Sequence, residues 1–366
     1  MTPLGIYVHI PFCASKCPYC DFYSLRQGED AWENYTNCII KRIKSYQEQA
    51  LPVDTVYFGG GTPGLIGAGR IGRILAAVRE SFALGPGAEI TVETNPGVGG
   101  ETLFDGLAAA GVTRLSLGLQ SANEGELRLL GRRHTAQDAA RAVELAHRAG
   151  IRNVSLDLMI ATPGQTRESL LASARFCAQA GASHVSAYLL KIEPGTVYHE
   201  RRDSLDLPDE DEVCDLYEAA CEELERLGYA QYEISNFARP GFESRHNLKY
   251  WRCEEYLGFG PAAHSFFRRR RFYFPRDLDR FLAGGEPADD GPGGSFEEFA
   301  MLALRLTEGL SEERCRARFG YGIPAELRRR AAPLARAGYC RVSPEGIALT
   351  RTGFLVSNAV LAELLV

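Results

Sequence analysis

A pattern that occurs three times between residues 103 and 190 limits the fold of this chain more than any other feature. Each copy consists of an amphipathic helix, a stop containing Gly, and an apolar strand. Thr135 with Asp138 predicts a capping box at the second helix, and Thr166 predicts the cap of the third. Strands that are apolar along their whole length predict a parallel sheet covered on both faces. The three strands are predicted at 112–119, 154–160 and 184–190.

A less regular form of the same pattern begins near the N-terminus, with strands predicted at 5–11, 53–58 and 89–92. Helices are predicted between them at 31–49 and 70–82. The chain then has six strand–helix units by about Gly228. Six units are fewer than the eight of a closed barrel. We therefore predict an α/β fold, a partial (β/α)6 barrel with one gap, whose chemistry lies at the C-terminal ends of the strands.

Three regions are predicted along the chain: the partial barrel at 1–235, a connecting segment at 236–290, and a small C-terminal domain at 295–366. A segment rich in Pro, Gly and Asp, 284–294, ends the large domain. Helices followed by a small hairpin are typical of a winged-helix module, although no role in DNA binding follows from such a fold. In the C-terminal domain the predicted helices are 296–307, 311–319, 324–337 and 352–365, and the predicted hairpin is 339–350.

Three cysteines, Cys13, Cys17 and Cys20, follow the first predicted strand at the spacing C-x3-C-x2-C. Closely spaced thiolates hold iron–sulfur clusters; a cubane cluster takes four ligands, and this loop supplies three because position 22 is Phe. One iron would keep an open coordination position, as catalytic metal sites do. Spacing alone leaves two alternatives open, a structural zinc site with His9 as fourth ligand and three unconnected buried thiols.

The overall composition excludes several classes of protein. The chain has 366 residues, 45% of them hydrophobic and 24% charged, which is ordinary for a globular protein. A formal net charge of -6 argues against general nucleic-acid binding through a basic surface. Ten cysteines are too sparse for a disulfide scaffold and favour a reducing compartment. Since the sequence has no signal peptide or transmembrane run, we expect a cytoplasmic protein, with peripheral membrane contact left open.

Polar residues follow the ends of several predicted strands. The run Gly59-Gly60-Gly61-Thr62-Pro63 lets a ligand approach the backbone closely, whereas a tight turn would need only one glycine. A phosphate nest is an alternative, although the Lys of a P-loop is missing. Carboxylates at the other strand ends suit ribose hydroxyls and an ammonium group, and an Arg suits a carboxylate. These other candidates are Glu93, Gln120, Arg132 and Asp157, with Arg133 as a competitor of Arg132.

The cysteine motif with an aromatic residue at Tyr19 resembles the signature of the radical S-adenosylmethionine (SAM) superfamily. The resemblance implies a [4Fe-4S] cluster on Cys13, Cys17 and Cys20, with the open iron closed by the amino and carboxylate groups of SAM. In that family the glycine run meets the amino group of SAM, and the spacing around Arg132 favours it over Arg133. The residues implied to bind SAM are Tyr7, Tyr19, Gly60, Gly61, Thr62, Glu93, Gln120, Arg132 and Asp157.

Further motifs resemble the oxygen-independent coproporphyrinogen III oxidase group of this superfamily. They are Tyr-Val-His-Ile-Pro-Phe-Cys, the glycine run, Glu-x-Asn-Pro, Gln-Ser, Leu-Gly-Arg and Asp-Leu-Met, in the order of that group. Within the group, Cys20-Asp21-Phe22 and the His-Asn-x-x-Tyr-Trp segment at 246–251 are similar to the haem chaperone branch. That branch implies a protein that binds haem and passes it to apo-haemoproteins, with the cluster and SAM governing its state.

His246 is the predicted haem ligand, because neutral imidazole is the usual axial ligand and the neighbouring Tyr250 and Trp251 can pack on a porphyrin face. His264 is the second choice, and a histidine that hydrogen-bonds within a turn is the structural alternative. The four arginines at 268–271 predict a hairpin with a solvated turn; contacts with nucleic acid or with haem propionates are the alternatives.

Three other functions stay open at this point. The first is radical decarboxylation of coproporphyrinogen III by a dehydrogenase, for which an open iron position is the chemical requirement. The second is a radical SAM methyltransferase or cyclopropanase, and the third is a zinc protein without catalysis. The sequence leaves open whether the chain forms a homodimer.

Overall fold

The computed structural model describes residues 2–365, so residues 1 and 366, the outer ends of the first and third predicted regions, lie outside it. Six parallel strands form the centre of one large sheet and pair in sequence order, as predicted. Most of their residues are buried, which explains the apolar runs. These strands are β1 (Leu4–Ile10), β2 (Pro52–Gly60), β3 (Ala83–Thr94), β4 (Arg114–Gln120), β5 (Asn153–Ile160) and β6 (His184–Leu189).

Helices connect these strands and cover the sheet, and the local signals that start them are those predicted. Thr135 and Asp138 form the expected capping box, and the Thr166 side chain accepts a hydrogen bond from the Ser169 N–H. The first helix ends earlier than predicted, at Lys44, and a short 3₁₀ turn follows it. The helices are α1 (Glu29–Lys44), α2 (Ala68–Ser81), α3 (Gly100–Ala110), α4 (Glu124–Leu129), α5 (Ala136–Arg148), α6 (Arg167–Gln179), α7 (Val197–Glu200) and α8 (Glu210–Arg226).

The sheet continues beyond both edges of its six-stranded centre. The added strands are β7 (Ala230–Gln231), β8 (Asn236–Ala238), β9 (Tyr256–Phe259), β10 (His264–Phe267), β11 (Arg270–Tyr273) and β12 (Ala288–Pro292). The order is β12-β11-β10-β9-β1-β2-β3-β4-β5-β6-β8-β7, an open sheet that agrees with the predicted partial barrel. The segment 236–290, predicted to connect two domains and to carry the His-Asn-x-x-Tyr-Trp motif, supplies edge strands of the sheet. The unpaired backbone groups along β1 and β6 find their partners there.

The arginine run forms the hairpin between β10 and β11. Its turn residues Arg268 and Arg269 are exposed and have φ angles of 51° and 61°. Arg270 pairs with Asp289 at 2.5 Å, and Arg271 pairs with Glu298. Because carboxylates of the chain neutralise both strand arginines, the solvated hairpin explains this run. The helices of the segment are α9 (Arg245–Trp251) and α10 (Leu278–Leu282).

A second hydrophobic core lies in the C-terminal region and includes Phe266 of β10, so the small module packs on one edge of the large sheet. Helices precede a hairpin as predicted, but the last predicted helix is broken at Val356. Among residues 2–365, no helix combines the length and the apolar character needed to cross a membrane. The elements of the module are α11 (Phe296–Ala303), β13 (Leu310–Ser311), α12 (Glu312–Phe319), α13 (Ala325–Arg336), β14 (Cys340–Ser343), β15 (Gly346–Leu349), α14 (Arg351–Leu355) and α15 (Ser357–Leu365).

Candidate functional site

The C-terminal ends of strands β1 to β5 surround a cavity of about 320 Å³. Its volume lies at the lower end of the range for small-molecule sites. Tyr7 lies outside its wall: its hydroxyl shares a hydrogen bond of 3.0 Å with His9 Nδ1, and its ring packs against Tyr57. The structure brings the other residues implied to hold the cluster and SAM to this wall. They are Cys13, Cys17, Tyr19, Cys20, Gly60, Gly61, Thr62, Glu93, Gln120, Arg132 and Asp157.

The cysteine loop begins directly after β1 and is held at both ends by backbone hydrogen bonds. The Cys13 N–H donates to the Leu25 carbonyl at 3.0 Å, and the Leu25 N–H donates to the Pro11 carbonyl at 2.8 Å. Within the loop, the Cys20 N–H donates to the Cys17 carbonyl at 3.1 Å and forms a turn. All three cysteines are partly exposed and line the cavity. Three potential thiolate ligands therefore share one wall.

The zinc alternative does not fit the donors that the structure presents. The ring nitrogens of buried His9 are both engaged, Nδ1 with the Tyr7 hydroxyl at 3.0 Å and Nε2 with the Tyr23 carbonyl at 2.9 Å. Within the described part of the chain, no three His, Cys, Asp or Glu side chains are grouped tightly enough to hold one metal ion. A cubane cluster spreads its ligands over several atoms, so three thiols along one wall suit it better than a single ion.

The glycine run ends β2 and closes against the cysteine loop. The Thr62 N–H donates to the Phe12 carbonyl at 2.8 Å, and the Thr62 Oγ1 lies 3.5 Å from the Cys13 sulfur. A Cβ added at Gly61 would lie 2.5 Å from the Phe12 carbonyl oxygen. Gly60 has a φ of 110°, which a residue with a side chain rarely adopts. The glycines are therefore needed to seat the cysteine loop beside the end of β2.

Two carboxyl groups, those of Glu93 and Asp157, lie on the cavity wall. Glu93 accepts hydrogen bonds from the Tyr57 hydroxyl at 2.7 Å and from the Gly60 N–H at 3.1 Å. Burial raises the pKa of Glu93 to about 7, and the charge of Asp157 contributes to the rise. Burial also raises the pKa of Asp157, which accepts a hydrogen bond from the Ser116 hydroxyl at 3.0 Å. A cation in the cavity would therefore favour the ionised form of Glu93.

Arg132 connects the cysteine loop to the strand ends. Its guanidinium donates to the Tyr19 hydroxyl at 2.7 Å and to the Asn95 Oδ1 at 2.9 Å. The Asn95 side chain in turn donates to the Thr62 Oγ1 at 3.2 Å. Arg133, the competing candidate, lines a neighbouring groove of about 280 Å³ instead. The guanidinium on the cavity wall is therefore that of Arg132.

Gln120 ends β4 with a φ of 70°, in the left-handed region that only a few per cent of non-glycine residues occupy. Its side chain is largely buried, and its amide nitrogen would lie 2.9 Å from a Cβ added at Gly118. Unfavourable backbone conformations of this kind cluster at functional sites. Gln120 therefore lines the cavity from a strained strand end.

Three residues that sequence reasoning did not assign hold the others in place. Tyr57 contacts Glu93 and Ser116 contacts Asp157, while Asn95 joins Arg132 to the glycine run. Two of them could have been found from the sequence, because residues separated by an even number of positions share one face of a strand. Tyr57 precedes Gly59 of the glycine run by two positions, and Ser116 precedes Gln120 by four.

His246, the predicted haem ligand, lies in α9 and is 1% exposed. Its Nδ1 shares a hydrogen bond of 2.8 Å with the Thr55 hydroxyl, and its Nε2 shares one of 2.8 Å with the Tyr250 hydroxyl. Burial lowers the pKa of His246 to about 3, so the ring is neutral. Ligation of iron would require one of these hydrogen bonds to break. His264 is exposed, and its ring stacks on that of Tyr273 at 5.1 Å.

Two segments of the chain match models of known protein families. Residues 7–177 match the radical SAM superfamily, and residues 296–356 match the HemN C-terminal domain. The first segment contains the cysteine loop and every residue of the cavity wall except Tyr188. The second covers most of the small C-terminal module.

Relatives with established names match most of this chain. The protein named "Heme chaperone HemW" from Mycobacterium tuberculosis is 36% identical over 99% of this chain and 95% of the relative. The protein of that name from Escherichia coli is 40% identical over 72% of this chain and 70% of the relative. The solved structure of coproporphyrinogen III oxidase (HemN) from Escherichia coli superimposes with a TM-score of 0.85, over 99% of this chain and 90% of that chain. Its sequence identity of 23% makes this a likeness of fold alone.

Proposed function

We infer the function of this chain from one premise: it belongs to the HemW family of the radical SAM superfamily. We propose that it is a haem chaperone on a radical SAM scaffold, which binds haem and transfers it to target haemoproteins. In this proposal a [4Fe-4S] cluster and SAM govern its state. The observation that carries the cofactor part is the single cavity lined by three thiols, a glycine turn and two carboxyl groups. The names of the two relatives support the haem part.

The proposed ligands of the cluster are the thiolates of Cys13, Cys17 and Cys20. When bound, the cluster supplies the redox-sensitive group of the site and an iron position open to SAM. The two carboxyl groups of the wall suit the ribose hydroxyls and the ammonium group of SAM, and the guanidinium of Arg132 suits its carboxylate. The residues proposed to bind SAM are Tyr7, Tyr19, Gly60, Gly61, Thr62, Glu93, Gln120, Arg132 and Asp157.

The proposal extends to partners, location and domain limits. The proposed partners are haem and apo-haemoproteins, and the proposed assembly is a homodimer. The proposed location is the cytoplasm, with peripheral contact to a membrane. The net charge of -6 and the paired arginines of the β10–β11 hairpin speak against nucleic acid as a partner. The proposed regions are 1–235, 236–290 and 295–366.

Ligation of haem iron by His246 is the part of the proposal that demands a conformational change. One of two buried hydrogen bonds has to break, and each contributes about 0.5–1.5 kcal/mol to stability. Replacing His246 with Ala and recording the absorbance spectrum of the haem complex tests this role. An unchanged spectrum would remove His246 as the ligand and leave His264 as the histidine to examine.

A comparison of two cysteine variants tests the cofactor part. Cys17 lines the cavity, whereas Cys38 lies on α1, where its thiol contacts the Phe281 carbonyl. After anaerobic reconstitution, Cys17→Ala should lose the iron and sulfide content and the visible absorbance of the cluster. Cys38→Ala should keep both. Equal cluster content in the two variants would contradict the proposed ligand set.

A transfer experiment tests the chaperone function. The reconstituted protein, loaded with haem, should activate a haem-free haemoprotein faster than buffer containing the same amount of haem. The same preparation should leave coproporphyrinogen III unchanged under anaerobic conditions with SAM and a reductant. Conversion to protoporphyrinogen would replace the proposal with the dehydrogenase, and absence of haem binding would end the chaperone interpretation.

A further inference from the structure

A second cavity, of about 510 Å³, lies between the end of β6, α9 and the small C-terminal module. It is larger than the cavity at the cysteine loop. Tyr188, at the end of β6, lines both cavities, so the two spaces share this side chain. We call this second cavity the module cleft. Its wall is formed by Tyr188, Leu189, Lys191, Tyr217, Glu233, Ile234, Ser235, Asn236, Asn247, Tyr250, Trp251, Arg305, Phe354 and Leu355.

Aromatic and aliphatic side chains dominate the module cleft. The first four residues of β6 are buried, but Tyr188 and Leu189 at its end are 42% and 39% exposed. Large apolar residues left open at the end of an otherwise buried strand mark a surface that binds something apolar. Trp251 and Phe354 line the same cleft. A flat hydrophobic ligand suits such walls.

Two cations lie on the wall of the module cleft. Lys191 pairs with Glu193 at 2.6 Å, but its side chain is 81% exposed, and such surface pairs contribute little and exchange partners easily. The guanidinium of Arg305 lies 5.8 Å from the centre of the Trp251 ring. An aromatic wall with two cations complements a planar molecule that carries two carboxylates.

One carboxyl group, that of Glu233, also lies on the wall of the module cleft, where a negative charge would repel an anionic ligand. It is 1% exposed and accepts hydrogen bonds from the Ser235 N–H at 2.8 Å and from the Asn236 side chain. Burial raises the pKa of Glu233, which favours its neutral form. Both oxygens of this carboxyl group are engaged by hydrogen bonds within the chain.

We propose that the module cleft is the haem site of this protein, with the macrocycle between Tyr188, Trp251 and Phe354 and the propionates at Lys191 and Arg305. This proposal rests on the proposed function and names the place where haem binds. Tyr250 on the wall of the cleft shares a hydrogen bond of 2.8 Å with His246 Nε2, so haem in the cleft lies one residue away from its proposed iron ligand. Haem in this place contacts the wall of the cofactor cavity through Tyr188, which gives the cluster and SAM a direct route to influence haem affinity.

Haem and its dimethyl ester, which lacks both propionate charges, separate the charge contacts from the apolar ones. Lys191→Gln should weaken haem binding by about threefold to tenfold, and Arg305→Gln at least as much. Neither change should alter the affinity for the dimethyl ester. Leu189→Asp should weaken both ligands. Lys44→Gln, which removes an exposed ion pair between Lys44 of α1 and Glu80 of α2, is the matched control and should change neither affinity.

The outcomes distinguish this site from the function on which it rests. If wild-type protein binds haem, and the Lys191 and Arg305 variants bind it as tightly as the Lys44 control, the module cleft is the wrong site while the chaperone function stands. If Arg305→Gln weakens haem and ester equally, its role is structural and the propionate contact is wrong. If wild-type protein binds no haem, the proposed function fails and this site with it.

Discussion

The carboxyl group of Glu93 should make SAM binding depend on pH. Burial raises its pKa from 4.5 to about 7, and in the proposed site its ionised form receives a cationic group of SAM. For each pH unit below 7, the fraction of ionised Glu93 falls about tenfold, so the affinity should fall by up to tenfold, or about 1.4 kcal/mol. Above this pKa the affinity should level off.

The same shift affects the stability of the cofactor-free protein. The pKa in the folded state lies above the value of 4.5 in the unfolded state, so the fold favours the protonated form. The contribution of Glu93 to the free energy of unfolding is fully present below pH 4.5 and is lost as the pH rises through about 7. The difference corresponds to at most about 3 kcal/mol, an upper limit because the carboxyl group is partly exposed to the water of the cavity. Glu93→Gln should remove this part of the pH dependence.

Isothermal titration of the reconstituted protein with SAM between about pH 5.5 and pH 7 measures the effect. This window lies below the range of about 7.7–8.0 in which α-amino groups titrate. Wild-type affinity should rise with pH, whereas Glu93→Gln should bind more weakly and show a shallower profile, with Asp157 as the remaining carboxyl group of raised pKa. Glu80→Gln, at an exposed position, should behave as wild type. A Glu93→Gln profile as steep as that of the wild type would refute the assignment of this carboxyl group.

Three further substitutions test the packing around the site. Gly61→Ala places a Cβ 2.5 Å from the Phe12 carbonyl oxygen and should reduce SAM binding and cluster content, whereas Gly87→Ala, with no atom within 4 Å, should change neither. Glu126→Ala removes a carboxylate that is 4% exposed and accepts hydrogen bonds from three side chains; urea unfolding should show a loss of about 1–3 kcal/mol, and an unchanged midpoint would contradict this role. Phe58→Ala empties a fully buried core position and should cost about 3–5 kcal/mol in the same assay, so a loss below about 1 kcal/mol would contradict the packing.

The centre of the fold was predictable because its signals are local. The second and third helices of the repeat carry their own side-chain caps, and each strand is apolar over enough residues to be recognised. The edge strands carry no such signal. β7 and β8 have two and three residues; β8 pairs with the edge of β6, and β7 pairs with β8. No local signal in residues 236–290 therefore predicts that they extend the sheet.

The cavity at the cysteine loop could be predicted for a geometric reason, since the carboxyl ends of parallel strands meet at one edge of a sheet. The surroundings of His246 could not. Its Nδ1 is engaged by Thr55, a residue 191 positions earlier in the chain, and only the folded sheet brings the two together. A motif shows which residue types are present. Whether a side chain such as that of His246 is already hydrogen-bonded depends on contacts between residues far apart in the sequence.

The position of β1 has a consequence for the order in which the molecule is completed. This strand is synthesised long before its neighbour β9, which begins only at Tyr256. While the chain grows, one flank of β1 shows unpaired amides to its surroundings, directly below the loop that carries the thiols. We therefore expect iron and sulfide to be loaded after the polypeptide is complete. In a nascent or truncated chain the cysteine loop follows a strand with one unpaired edge.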